Sequence, residues 1–315
     1  MAALELLRQL IESQKENTKR AQKSVLGDFL LFSGVFPEQV TESHVYDYFD
    51  HLKGREGAKP RSGKVTSLSG RSIRQKMELL KALFEYLKNR RHIEFNPFVT
   101  AAIKLPNPRF NQKRPTEIVD FDKVLEICMA PSRYTKEGKR DRGILSVLFG
   151  AGLRKSEAIA LTLKNVRIMI GKTDDEAIPY LELENTKGGE PQNAAMPVWC
   201  AQAISQLALT RKEDGAADEH PLFTRYQGSK HQATNEHLSI RTFDRIFKKW
   251  IKDAGISISI TPHSARATAI SKLFADKVDP KQIQEYGRHK SLNTTLEYDK
   301  RYFGLENSAG RKLGY

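Results

Sequence analysis

Arginine, histidine, lysine and tyrosine occur in the second half of this chain at spacings suited to work on a phosphate. "TPHSARATAI" sets His263 and Arg266 three positions apart, which puts both on one face of a helix. Arg154 follows "GAG", a turn whose glycines let backbone and guanidinium approach a ligand before a helix begins, and Glu157 lies one turn on. A guanidinium is a planar fork that fits two phosphate oxygens, so Arg154 and Arg266 can clamp one phosphate between them. Lys187 is the only lysine between Lys172 and Lys212, at a turn from which it can protonate a leaving oxygen. Taken singly, each has a plainer reading: a surface pair, a helix-start ion pair and a solvated lysine.

The densest stretch is "YGRHKSLNTTLEYDKRY", residues 286–302, which holds His289 and three tyrosines. A helix is expected to end at Gly287, just before Arg288 and His289. Tyr298 and Tyr302 lie one helical turn apart, and helical geometry does not choose between them.

The elements that must position these groups follow from periodicity. In the first third, Val25, Phe29 and Phe32 share one helical face, and Thr41 can cap a helix carrying Val45, Phe49 and Leu52. A third helix pairs an apolar stripe of Ile73, Met77, Leu80, Phe84 and Leu87 with Arg74, Lys81 and Lys88 on a neighbouring face, either a DNA-facing surface or a solvated flank. "KLPNPRFNQKRP" (104–115) has three prolines, four basic residues including Arg109, Lys113 and Arg114, and no acid. It reads as an extended basic linker at a domain boundary.

Beyond it, "DFDKVLEICMA" and "DRGILSVLFGAGLRKSEAIALTL" read as helices, the second interrupted at Gly150 and Gly152. "AIPYLELENTKGGEPQNAAMPVW" reads as a hairpin turning around Lys187, Gly188 and Gly189. Helices follow in "WCAQAISQLAL", "RTFDRIFKKWIKDAG" and "HSARATAISKLFA", and another starts at Asp279 and Pro280.

Composition narrows the partners. The 315 residues carry 52 Lys and Arg against 38 Asp and Glu, a formal charge of +14, which suits a polyanion and nucleic acid first. No apolar run is long enough to span a membrane, and the opening segment lacks the apolar region of a signal peptide. The chain is expected to stay where it is made, in a prokaryote the cytoplasm with its nucleoid. Cys128 and Cys200 lie outside any metal or disulfide spacing and read as ordinary buried thiols.

The ordered set "GLRKSE", "TKGG", "HSAR" and His289 with Tyr298 nine positions on closely resembles the tyrosine recombinase (phage integrase) family. The match runs from the linker to the C-terminus, and the helical first third resembles the family's core-binding domain. The resemblance implies a mainly α fold with a small antiparallel β-sheet. A helical core-binding domain (1–103), the linker (104–115) and a mixed α/β catalytic domain (116–315) with a C-terminal docking tail would form a C-shaped clamp on DNA.

Carried over, Arg154, Glu157, Lys187, His263, Arg266 and His289 fall at the family's catalytic positions. Tyr298, in "TTLEY", falls at the nucleophile, and Tyr302 is the reserve. The implied chemistry is DNA cleavage through a 3′-phosphotyrosine and a free 5′-hydroxyl, with Lys187 as general acid and strand exchange through a Holliday junction. The implied assembly is a homo-tetramer on double-stranded DNA carrying a recombination site, monomeric or weakly dimeric when free, with no cofactor. A topoisomerase IB-like relaxing enzyme and an inactive DNA-binding protein on the same scaffold are the alternatives. The sequence departs from the family at Arg288, where members commonly have glycine before the histidine, at Ala267, and at Glu190 and Gln192 after the hairpin glycines.

Overall fold

The computed structural model describes residues 2–54, 68–106, 116–170, 177–184, 190–257 and 259–299. The chain divides into two compact units, Met1–Arg114 and Pro115–Tyr315.

The first unit is built from amphipathic helices: α1 (Ala2–Glu12), α2 (Glu16–Ser33), α3 (Glu42–Gly54), α4 (Gly70–Asn89) and the single turn α5 (Pro97–Thr100). Each turns an apolar stripe inward, as the 3.6-residue period requires. Phe29 of α2 sits at their centre, edge-on to Tyr48, Phe84 and Phe98 at 5.1, 6.0 and 5.2 Å. Phe32 does not share this burial: it is partly exposed over Tyr48 and His51. Thr41 does precede α3, with its hydroxyl 2.8 Å from His44 Nδ1. Ile103 and Leu105 pack on this core, and the Pro106 carbonyl accepts from Arg74, so the first residues of the basic segment belong to the first unit.

The second unit wraps a buried helix. Helix α6 (Phe121–Met129) leads to α7 (Lys136–Phe149), where Ile144, Leu145, Val147, Leu148 and Phe149 are all buried. The apolar C-terminal half of α7 is enclosed on every side, as a segment without a polar face must be, while its first half is charged. After α8 (Lys155–Ala160), β1 (Val166–Ile170), β2 (Ala177–Leu183) and β3 (Gln192–Ala195) form an antiparallel sheet in that order. Leu181 pairs with Ala194, and both face the core. The expected hairpin is β2–β3, and β1 is a further strand beside it. Its connection, with Lys187, lies outside the described residues.

Next come α9 (Val198–Glu213), a two-stranded ladder β4 (Thr224–Gln227) and β5 (Gln232–His237), then α10 (Ile240–Asp253), α11 (Pro262–Ala275), α12 (Pro280–Gly287) and α13 (Leu292–Leu296). The β4–β5 ladder is absent from the sequence reading because its strands are largely polar and give no apolar alternation. Cys128 and Cys200 are free, buried thiols. No helix among the described residues is long and apolar enough to cross a membrane.

Asp141 ties α7 to α10. It accepts from Arg140 Nε and NH2 at 2.9 and 2.7 Å and from Trp250 Nε1 at 2.9 Å. Arg140 also donates to the Thr224 carbonyl at 3.3 Å, linking β4. Removing one member of a buried ion pair leaves the other charge uncompensated. Asp141→Ala is therefore expected to cost about 3–5 kcal/mol of stability, read by urea unfolding.

Candidate active site

The GAG turn, the start of α8, the first turns of α11 and the end of α12 converge. Gly152 has φ +58°, a left-handed conformation, and a Cβ there would meet the Tyr286 hydroxyl at 2.8 Å. Tyr286 in turn donates to the Gly150 carbonyl at 2.8 Å, which locks the turn to α12. Burial raises the Tyr286 hydroxyl pKa, so it stays a donor.

Arg154 is the residue before α8, and the buried Glu157 carboxylate closes back on it. The Arg154 backbone N–H donates to Oε2 at 2.8 Å, and its NH1 donates to Oε1 at 2.6 Å. This is no surface pair, since the Glu157 side chain is 1% exposed. Burial pushes the Glu157 carboxyl up, but Arg288 and Arg154 outweigh it and hold the group below the usual carboxylate range.

Three guanidiniums gather on the carbonyls where α12 ends. A helix leaves its last carbonyls without intrahelical partners, and its C-terminus favours cations. Arg288 NH1 donates to the Tyr286 carbonyl at 2.9 Å, Arg266 NH2 to the Gly287 carbonyl, and Arg154 NH2 to the Arg288 carbonyl at 3.1 Å. The Gly152 carbonyl accepts from both Arg266 NH1 and Arg288 NH2. Arg288 NH2 also reaches Glu157 Oε2 at 3.2 Å. Glu157 thus pairs with Arg154 and Arg288, while Arg266 is held by backbone carbonyls alone. Burial first, then Arg288 and Arg154, depress Arg266 to about 10.

Two histidines and Tyr298 complete the cluster. His263, in the first turn of α11, presents Nε2 at 3.4 Å from the Tyr298 hydroxyl. His289 stacks on the Tyr298 ring, centroids 5.7 Å apart and planes within 9°. Its Nδ1 is 2.9 Å from the buried Thr295 hydroxyl, which leaves Nε2 for a ligand. Burial, then Arg266, Arg154 and Arg288, push the His289 pKa down to about 4, so it is neutral at pH 7. Burial raises the Tyr298 hydroxyl pKa, while Arg266 and Arg154 pull against that. Such an arrangement can hold a tetrahedral anion beside a phenol and an imidazole. Among the described residues no three His, Cys, Asp or Glu side chains gather as a metal site would require.

The sequence profile of the phage integrase family matches residues 117–303. The chain belongs to the phage integrase family of tyrosine recombinases. The XerC tyrosine recombinase of Thermodesulfovibrio yellowstonii is 27% identical over 301 residues, covering 92% of this chain and 87% of its own. That of Chlamydia caviae is 30% identical over 231 residues, covering 72% and 67%. In fold, the chain is similar to the Tn1549 transposon integrase (residues 82–397) in complex with circular intermediate DNA, with a TM-score of 0.65, 19% identity and 98% of each chain covered.

Of the residues carried over from this integrase family, Arg154, Glu157, His263, Arg266, His289 and Tyr298 come together. Lys187, Arg109, Lys113, Arg114, Tyr302 and the tail beyond it lie outside the described residues. Arg74, Lys81 and Lys88 are on α4, where Glu78 and Glu85 stand 3.6 and 3.7 Å from Arg74 and Lys88. Helix α13 ends at Leu296, so Tyr298 follows a helix rather than riding on one. Ala267, where histidine is frequent in the family, is a buried core residue.

Sequence reasoning missed two participants. Thr295 stood in the quoted "TTLEY" run without a role. Arg288 was only a departure, although a charged residue in place of a glycine beside His289 was itself a signal. The helix does end at Gly287, but the left-handed residue is Arg288, with φ +49°.

Two outcomes follow. Gly152→Ala forces a side chain into left-handed backbone against Tyr286 and is expected to cost about 1–3 kcal/mol, measured by denaturant unfolding. His289 binds its proton more weakly folded, at about 4, than its ordinary 6.5 allows. It therefore adds stability above pH 6.5 that is lost as pH falls toward 4. NMR titration should show its imidazole neutral at pH 5.5, and His289→Gln should lose less stability than the native protein between pH 6.5 and 4.

Proposed function

We propose that this chain cleaves and rejoins double-stranded DNA at a specific recombination site through a covalent tyrosine–phosphate intermediate. The observation that carries the reading is the cluster of Arg154, Arg266 and Arg288, with the Glu157 carboxylate pairing two of them, beside the Tyr298 hydroxyl and His263 Nε2. Such a cluster is matched by a bound phosphate, whose charge grows as a fifth oxygen approaches.

In the proposed step, Tyr298 Oη attacks the scissile phosphorus while His263 takes the phenolic proton. The bond to the 5′-oxygen breaks, leaving a 3′-phosphotyrosine, and Lys187 protonates the departing 5′-oxygen. Arg154, Arg266 and His289 bind the non-bridging oxygens. A second strand's 5′-hydroxyl then attacks the phosphotyrosine, releasing Tyr298 and forming the recombinant bond. The covalent link conserves the energy of the bond it replaces, so the cycle needs no nucleotide cofactor.

Tyr298 packs with Ile270, Phe274 and Ile283 of its own catalytic unit, which supports delivery of the nucleophile in cis. Arg74, Lys81 and Lys88, with Arg109, Lys113 and Arg114, are the proposed phosphate contacts outside the site. Four copies exchange two strand pairs through a Holliday junction, in integration and excision or resolution of a mobile element or replicon.

A nicked suicide site, which loses its 5′-hydroxyl strand, tests the reading on a denaturing gel. The native chain should form a protein–DNA adduct, Tyr298→Phe should form none, and Tyr302→Phe should keep it. An adduct retained in Tyr298→Phe and lost in Tyr302→Phe overturns the assignment.

A further inference from the structure

We propose that Arg288 is a positioning residue of the phosphate clamp, sharing Glu157 with Arg154 and the Gly152 carbonyl with Arg266. The inference rests on the reading of the site as a phosphate clamp.

Position 288 is a poor place for arginine on stability grounds. Its backbone is left-handed, φ +49°, a conformation that glycine adopts at least cost. Its guanidinium is buried, and burying a charge is unfavourable unless partners replace the lost water. Its Nε finds no acceptor among the described residues. Glycine would close α12 more economically, so what the side chain contributes is its set of contacts.

Those contacts all lead to the clamp. NH1 returns to the Tyr286 carbonyl at 2.9 Å, which fixes the turn carrying the two carbonyls that hold Arg266 and Arg154. NH2 lies 3.0 Å from the Gly152 carbonyl and 3.2 Å from Glu157 Oε2. Glu157 Oε1 holds Arg154 NH1, so one carboxylate spans the two arginines and neither can shift alone. The contacts of Arg288 run to Glu157 and to the Tyr286 and Gly152 carbonyls, groups that also hold or border Arg154 and Arg266. Arg288 acts through Arg154 and Arg266.

A positioning role predicts coupling to Glu157 rather than an independent effect. Single-turnover cleavage of the suicide site at saturating protein would compare Arg288→Gly, Glu157→Gln and the double variant. Arg288→Gly is expected to slow cleavage roughly ten- to a hundredfold, as when a partner that orients a ligating group is removed. In the Glu157→Gln background the same change should cost less than about twofold. Arg288→Met, which keeps the buried stem, gives the same comparison if glycine loosens the turn, with thermal unfolding of each variant as the control.

The four proteins are also titrated with inorganic phosphate, followed at the His289 ring by NMR, where the same coupling should appear in affinity. Native-rate cleavage by Arg288→Gly, or losses that multiply in the double variant, overturn the proposal. Failure of the native chain to form an adduct sinks the recombinase reading alone, and the phosphate titration still decides the role of Arg288.

Discussion

The site depends on how a cluster of like charges is held together before any substrate arrives. Arg154, Arg266 and Arg288 repel one another, and two of them are buried where that repulsion is weakly screened. They are held by the carbonyls of Tyr286, Gly287 and Arg288 at the end of α12, by the Gly152 carbonyl, and by Glu157. Backbone carbonyls satisfy guanidinium hydrogens without cancelling their charge. The cluster is therefore ordered and still short of negative charge, which suits the proposed phosphate site.

The rest of the catalytic unit serves that arrangement. Helix α7 carries the GAG turn at its C-terminal end, so the Gly152 carbonyl is anchored to a helix buried from Gly143 to Phe149. Helix α11 delivers an exposed His263 in its otherwise buried first turn and Arg266 one turn deeper, which is why one is available to Tyr298 and the other is enclosed. The short α13 returns the chain so that Thr295 meets His289 and Tyr298 stacks against it. Burial first, and then the same surplus of charge, depress the pKa of His289.

Much of this was readable beforehand. The turn at Gly152, the helix starting near Arg154, the pair His263 and Arg266 on one helix, and the helix ending at Gly287 follow from glycine chemistry and helical period. Less was readable where no local pattern exists. The polar β4–β5 ladder shows no alternation, and Phe32 has the spacing of a core residue yet lies at the edge of its helix's buried stripe.

The sequence by itself determined which residue types are present, their order and the spacing of nine between His289 and Tyr298, because these are covalent properties of the chain. Only the tertiary structure decided that Arg288 faces inward to share Glu157, that Thr295 supports His289, and that the Tyr298 hydroxyl lies beside His263. Each of those contacts joins residues whose encounter depends on how α8, α11 and α12 pack, and no local spacing encodes the direction of a side chain across a packed interface.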